Sequence, residues 1–148
     1  NSVARLIDLY MKGKWHIIPG DGSSAGNYVY IDDVVNGHVL AMEKGKKGER
    51  YILGGENVTF TDFFKIIKKL SGMNKFLIKF PYFLMKTVSH IMVFIAKLLQ
   101  SKPLITPEYV RRYNYKWLIS TNKAIKELDY KVTPFEEGIK KTIDWLKN

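Results

Sequence analysis

Cysteine is absent from the 148 residues. That excludes disulfides and thiolate metal sites and makes a reducing cytosol the expected setting, so the chain reads as cytoplasmic. Arginine is scarce: Arg5, Arg50, Arg111 and Arg112 stand against 20 lysines. The net charge of +10 therefore rests on the cation less suited to bidentate phosphate and base contacts. The lysines are scattered at helical surface spacing, so they read as solvated surface and no nucleic-acid partner is expected. Residues 1–15 lack the basic stretch and apolar run of a signal peptide. The chain opens on Asn1 instead of Met, which reads as a processed or truncated product. His16, His38 and His90 are isolated, form no Ser/His/Asp set and imply no metal site.

What is present favours a folded domain. Apolar residues make up 46% and aromatics 14%, enough to bury a core at this length. Val3, Leu6, Ile7 and Tyr10 define a helical stripe that Gly13 ends. Trp15–Ile18 reads as extended, with a turn at Pro19–Gly22. Tyr28–Ile31 reads as a strand, after which Asp32 or Asp33 caps a helix running to about Lys44. Arg50–Leu53 reads as a second strand, stopped by Gly54-Gly55. Thr59 with Asp62 resembles a capping box for a helix burying Phe63, Ile66, Ile67 and Leu70, and Gly72 ends it. A long apolar helix over 82–99 follows, then helix starts at Thr106-Pro, Ser120 and Thr133-Pro. The last helix carries Phe135, Ile139, Ile143 and Leu146 on one side. Two short strands do not make a stable sheet. Their partners are expected in a second copy, which makes a homo-oligomer through exposed strand edges one alternative, or in a segment absent from this chain.

Several motifs invite a chemical reading and fail it. Tyr10-x-x-x-Lys14 and Tyr82-x-x-x-Lys86 match a pair in which lysine, one helical turn on, lowers a tyrosine pKa. The first is broken by Gly13, and the second sits in an apolar helix where both residues anchor a surface. Gly20–Gly26 is glycine-rich, yet phosphate loops lead from a strand into a helix N-terminus, and this one lies between two extended runs. It reads as a loop beside a substrate pocket. The helix over 82–99 carries a stripe of Leu84, Val88, Ile91, Ile95 and Leu98 interrupted by lysines. A lid over the pocket is the favoured reading, and a helix lying on an anionic membrane surface is the alternative.

Three blocks, in order, carry a resemblance. Gly26–Met42, Gly48–Thr59 and the ending Lys123–Tyr130, Thr133–Gly138 and Thr142–Trp145 resemble the late segments of extended short-chain dehydrogenase/reductases. They are most similar to the dihydroflavonol-reductase-like branch of the NAD-dependent epimerase/dehydratase family. The resemblance implies the C-terminal part of a Rossmann-type doubly wound sheet plus a mostly helical substrate-binding subdomain, divided as 1–72 and 73–148. It implies a parent enzyme that uses NAD or NADP and a Tyr-x-x-x-Lys pair lying before this chain. No catalytic or cofactor-binding residue is assigned here, and the missing N-terminal Rossmann portion becomes an expected partner. Relatives acting on nucleotide sugars place an arginine just before the aromatic strand, where this chain has Gly26 and Asn27. That favours a small carbonyl substrate. Asn27, Tyr28, Arg111 and Arg112 are the pocket candidates. Asp129 stands where the family usually has glycine, in a turn that asks for a left-handed residue. The rival reading is a non-enzymatic interaction domain using the strand edges and the apolar 82–99 surface.

Overall fold

The computed structural model describes residues 2–103 and 105–147. The expected N-terminal stripe forms α1 (Ser2–Met11), which buries Ile7 and Tyr10 completely and ends where Gly13 takes φ +65°. Then follow β1 (Ile17–Pro19), β2 (Ala25–Tyr28), α2 (Ile31–Lys44), β3 (Glu56–Thr59), α3 (Phe60–Ser71) and β4 (Ile78–Phe80). The remainder is helical: α4 (Tyr82–Leu98), α5 (Pro107–Arg111), a 3-10 turn (Arg112–Asn114), α6 (Asn122–Leu128) and α7 (Phe135–Lys147). The strands form two ladders, β1 parallel to β4 and β2 antiparallel to β3.

Two clusters hold these elements together. The larger joins α1, α3 and α7 through Ile7, Tyr10, Phe63, Ile67, Ile139 and Ile143. Such side chains contribute about 1.5–3 kcal/mol each on burial. The smaller packs Ala124, Leu128 and Tyr130 against Leu40, Tyr51 and Leu53. Helix α3 starts at the expected box: Thr59 Oγ1 accepts from the Asp62 N–H and donates to its carboxylate at 2.7 Å, a cap that contributes about 1 kcal/mol. Thr106 caps α5 in the same way, and Asp129 takes the left-handed conformation (φ +58°) that the turn after α6 requires.

Several expectations need correction. Of Tyr28–Ile31, only Tyr28 lies in a ladder, because the register with β3 closes at Tyr28 opposite Glu56 and α2 begins at Ile31. Arg50–Leu53 is not a strand. Its alternation is real, with Tyr51 and Leu53 turned inward and Ile52 outward. Its packing is against helices, however, and no strand pairs with it among the described residues. The two expected strands were to lack partners in the chain, yet β2 finds one in β3. Neither β3 nor β4 was anticipated. Neither aspartate caps α2: Tyr30 holds the cap position without a side-chain bond, and Asp33 faces inward. Ser120 lies one residue before the α6 cap position, which Thr121 holds, also without a side-chain bond. Thr133 is not a free cap for α7 either, since its hydroxyl donates to Asp33.

Candidate functional site

The Gly20–Gly26 loop leads from β1 into β2, and Gly22 (φ +82°) packs so closely on Thr61 and Ile18 that a side chain would not fit. Asp21 stiffens the loop by accepting the Ser23 N–H at 2.8 Å, and hydrogen bonding from Ser23 holds its carboxyl below the usual range. Across from the loop, the extended stretch after the 3-10 turn is stitched to the β2–β3 ladder. The Trp117 N–H donates to the Ala25 carbonyl at 2.9 Å, and the Ser24 hydroxyl donates to the Tyr115 carbonyl at 2.8 Å. Asn57 receives the Ile119 N–H and returns a bond to its carbonyl.

Between these walls lie two adjoining cavities that share Ser24 and Tyr113. One, of about 500 Å³, is lined by Ser23, Lys79, Tyr82, Asn114 and Lys116 among others. The other, of about 480 Å³, is lined by Gly26, Phe60, Arg112 and Trp117. Tyr113 stacks edge-on against Phe60 and Tyr109, and burial, with a hydrogen bond between its hydroxyl and Tyr109, raises its pKa. It stays a neutral phenol throughout the physiological range. The groove thus offers an aromatic wall, cations and hydroxyls, a combination suited to a small ligand with an apolar body and polar groups.

Of the candidate residues, Arg112 lines the groove, while its neighbour Arg111 is exposed on α5. The Asn27 amide braces the turn before β3, donating to the Gly55 carbonyl and accepting the Gly55 N–H at 2.8 Å. Tyr28 packs on Phe63 and Phe135, and burial pushes its phenol up to about 12. Neither Asn27 nor Tyr28 is among the residues that line the two cavities. Tyr113, Trp117 and Phe60 were missed. The alternation Tyr113-x-Tyr115-x-Trp117 beside Arg112 was the signal available.

A dinucleotide does not fit this loop, because no helix follows the glycines to present N-terminal amides to a pyrophosphate. Tyr10 is fully buried and donates to the Met73 carbonyl at 3.0 Å, so it does not face a ligand. No group of three or more His, Asp or Glu that could hold a metal ion occurs among the described residues.

Comparison with known proteins gives a consistent picture. Residues 1–54 match the NAD dependent epimerase/dehydratase family. The chain is 30% identical to the 3beta-hydroxysteroid-dehydrogenase/decarboxylase isoform 1 of Arabidopsis thaliana, over 96% of the chain and 36% of that protein. It is 31% identical to the decarboxylating sterol-4-alpha-carboxylate 3-dehydrogenase of Candida albicans, over 86% of the chain and 40% of that protein. In structure it is similar to UDP-glucose 4-epimerase of Thermotoga maritima, with a TM-score of 0.69 and 27% identity, over 99% of the chain and 39% of that protein. The chain spans less than half the length of each of these proteins.

Proposed function

Because the chain belongs to the NAD-dependent epimerase/dehydratase family and carries part of a Rossmann-type fold, we propose that it is the substrate-binding portion of an NAD(P)-dependent oxidoreductase or epimerase. In this reading residues 1–72 complete a nucleotide-binding sheet begun by a segment N-terminal to Asn1, and residues 73–148 form the helical substrate side. The chain alone does not catalyse. NAD(P), when bound to that preceding segment, supplies or accepts hydride.

The observation that carries the proposal is the groove between the Gly20–Gly26 loop and Arg112–Trp117. Its aromatic wall of Phe60, Tyr113 and Trp117 receives an apolar body, and Arg112 receives an anionic or carbonyl group of the same ligand. Asn27 and Tyr28 act from behind, the first by fixing the Gly55 turn and the second by packing β2 onto α3 and α7. The aromatic wall favours a carbonyl- or hydroxyl-bearing ring substrate over a nucleotide sugar. The names of the two plant and fungal dehydrogenases support the same choice.

Fluorescence titration with NADH and NADPH tests the division of labour. The 148-residue chain is expected to show no saturable binding up to about 1 mM, and the protein extended upstream of Asn1 is expected to bind. Micromolar binding by the chain alone would sink the proposal, since it would mean a nucleotide site among these residues.

A further inference from the structure

From residue 63 to residue 107 the chain contains eight lysines and no aspartate or glutamate. The apolar helix α4 lies inside this stretch. One side of α4, with Ser89 and Ala96 buried, packs against α5. Leu84, Val88, Ile91, Ile95 and Leu98, at the spacing of one helical stripe, are all exposed. Phe83 and Phe94 widen the stripe and are 66% and 70% exposed. Each of these rings has a lysine three residues on, Lys86 and Lys97, so each cation is its neighbour on the helix surface. Lys86 and Lys97 are eleven residues apart, close to a whole number of turns, and so fall on one edge of the helix. Phe76, 75% exposed, precedes β4 and brings Lys75 and Lys79 with it. Among the described residues, only Pro81 and Tyr82, at the start of α4, border the groove; the stripe from Leu84 onward is exposed.

We infer that this face of α4 docks the protein on an anionic lipid bilayer, with the helix lying in the plane of the interface. Monomeric proteins rarely expose contiguous apolar surface of this kind, and the charge around it selects among occupants. A second copy would set lysine-rich surface against lysine-rich surface, with no acid in the segment to offset it. An anionic bilayer instead accepts the aromatic and aliphatic side chains at the acyl boundary while the lysine stems extend to its headgroups. Crossing the membrane is not part of the inference: 17 residues of α-helix reach about 25 Å, short of the roughly 30 Å of hydrocarbon. No helix among the described residues is long and apolar enough to span. The inference is independent of the cofactor reading, because it uses neither the groove nor a nucleotide.

Co-sedimentation of the full chain with large unilamellar vesicles tests it. Partition onto phosphatidylcholine vesicles containing about 30% phosphatidylserine is expected to exceed that onto pure phosphatidylcholine by at least about tenfold and to weaken with salt. The triple variant Phe83→Ser, Ile91→Ser, Phe94→Ser alters only exposed side chains and should keep its circular dichroism while losing at least about tenfold in partition. Lys86→Gln with Lys97→Gln should lose about tenfold on the anionic vesicles alone. No sedimentation with anionic vesicles at low salt overturns the inference. Binding that survives the triple variant overturns it too, as adhesion of a polycation. An equal loss on Trp145→Ser, which changes an exposed residue of α7, would mean general stickiness. A dimer in sedimentation velocity that the triple variant abolishes, without vesicle binding, would make a second copy the occupant instead.

Discussion

Asp33, one of two neighbouring aspartates suited by sequence to cap α2, ties that helix to a distant part of the chain instead. The residue is 8% exposed, and its carboxylate accepts two hydrogen bonds from Thr133, one from the backbone N–H and one from the hydroxyl, each at 2.7 Å. These bonds tie the first turn of α2 to the connection between α6 and α7, a hundred residues away. Hydrogen bonds to a charged group contribute about 1.5–3 kcal/mol each, and a donor left buried without a partner costs about 1–3 kcal/mol. Asp33→Ala removes both bonds and strands a partly buried N–H, and since the two effects overlap the expected cost is about 3 kcal/mol. Asp33→Asn keeps one oxygen for the Thr133 N–H, and its amide can donate to the rotatable hydroxyl, so about 1 kcal/mol is expected. With a urea slope of about 1.5 kcal/mol per molar, the alanine variant should unfold about 2 M earlier. Urea titration followed by circular dichroism, with Thr133→Ala to close a double-mutant cycle, measures this. An alanine variant within about 0.5 kcal/mol of the parent would refute the reasoning.

Two other predictions follow from residues near the groove. In alkaline titration followed by phenolate absorbance, the tyrosine lost in Tyr28→Phe should be one that ionises at about 12 instead of near 10. The folded pKa is raised, so Tyr28 contributes stability that is complete below pH 10 and lost as the pH rises through about 12; ionisation of that tyrosine near 10 would mean the ring is not buried. Gly55→Ala should destabilise by about 2 kcal/mol or more in urea, because a methyl there runs into the Tyr28 carbonyl, which a shift of a flexible side chain cannot relieve. An unchanged midpoint would show that the turn before β3 is looser than described.

Helices were legible where their signals are local. The Thr59–Asp62 box, the Thr106-Pro start and the Phe135, Ile139, Ile143 stripe depend on residues within two turns of each other, and all three formed as read. Strands were not, because a strand is defined by its neighbour. Tyr51-Ile-Leu53 alternates as a strand would but packs on helices, whereas Ile78–Phe80, with no clear pattern, pairs with β1. The misplaced caps have one cause: Asp33 and Thr133 each carry a local capping signal, and a long-range bond between them outcompetes it. Of the groove, Arg112 was visible in the sequence, while Tyr113 and Trp117 join it only because Asn57 and Ala25 hold their segment in place.

The run at 50–53 alternates inward and outward without joining a ladder among the described residues. Backbone groups in an extended segment need partners, and side chains that alternate inward and outward suit a sheet. Here Tyr51 and Leu53 are already seated on α2 and α6, with the Leu53 methyls filling the space at Gly37 and Tyr130 donating to the Gly54 carbonyl at 3.1 Å. Ile52, on the other side, is exposed, as are Ile31, Val35 and Val39 along one stripe of α2. An edge that has one face finished and the other bare is what the terminal strand of a larger parallel sheet would present. The proposed Rossmann portion accounts for it without further assumption. Adding the upstream segment should therefore protect the amides of 50–53 from hydrogen exchange, and unchanged exchange there would break the link between this edge and the missing sheet.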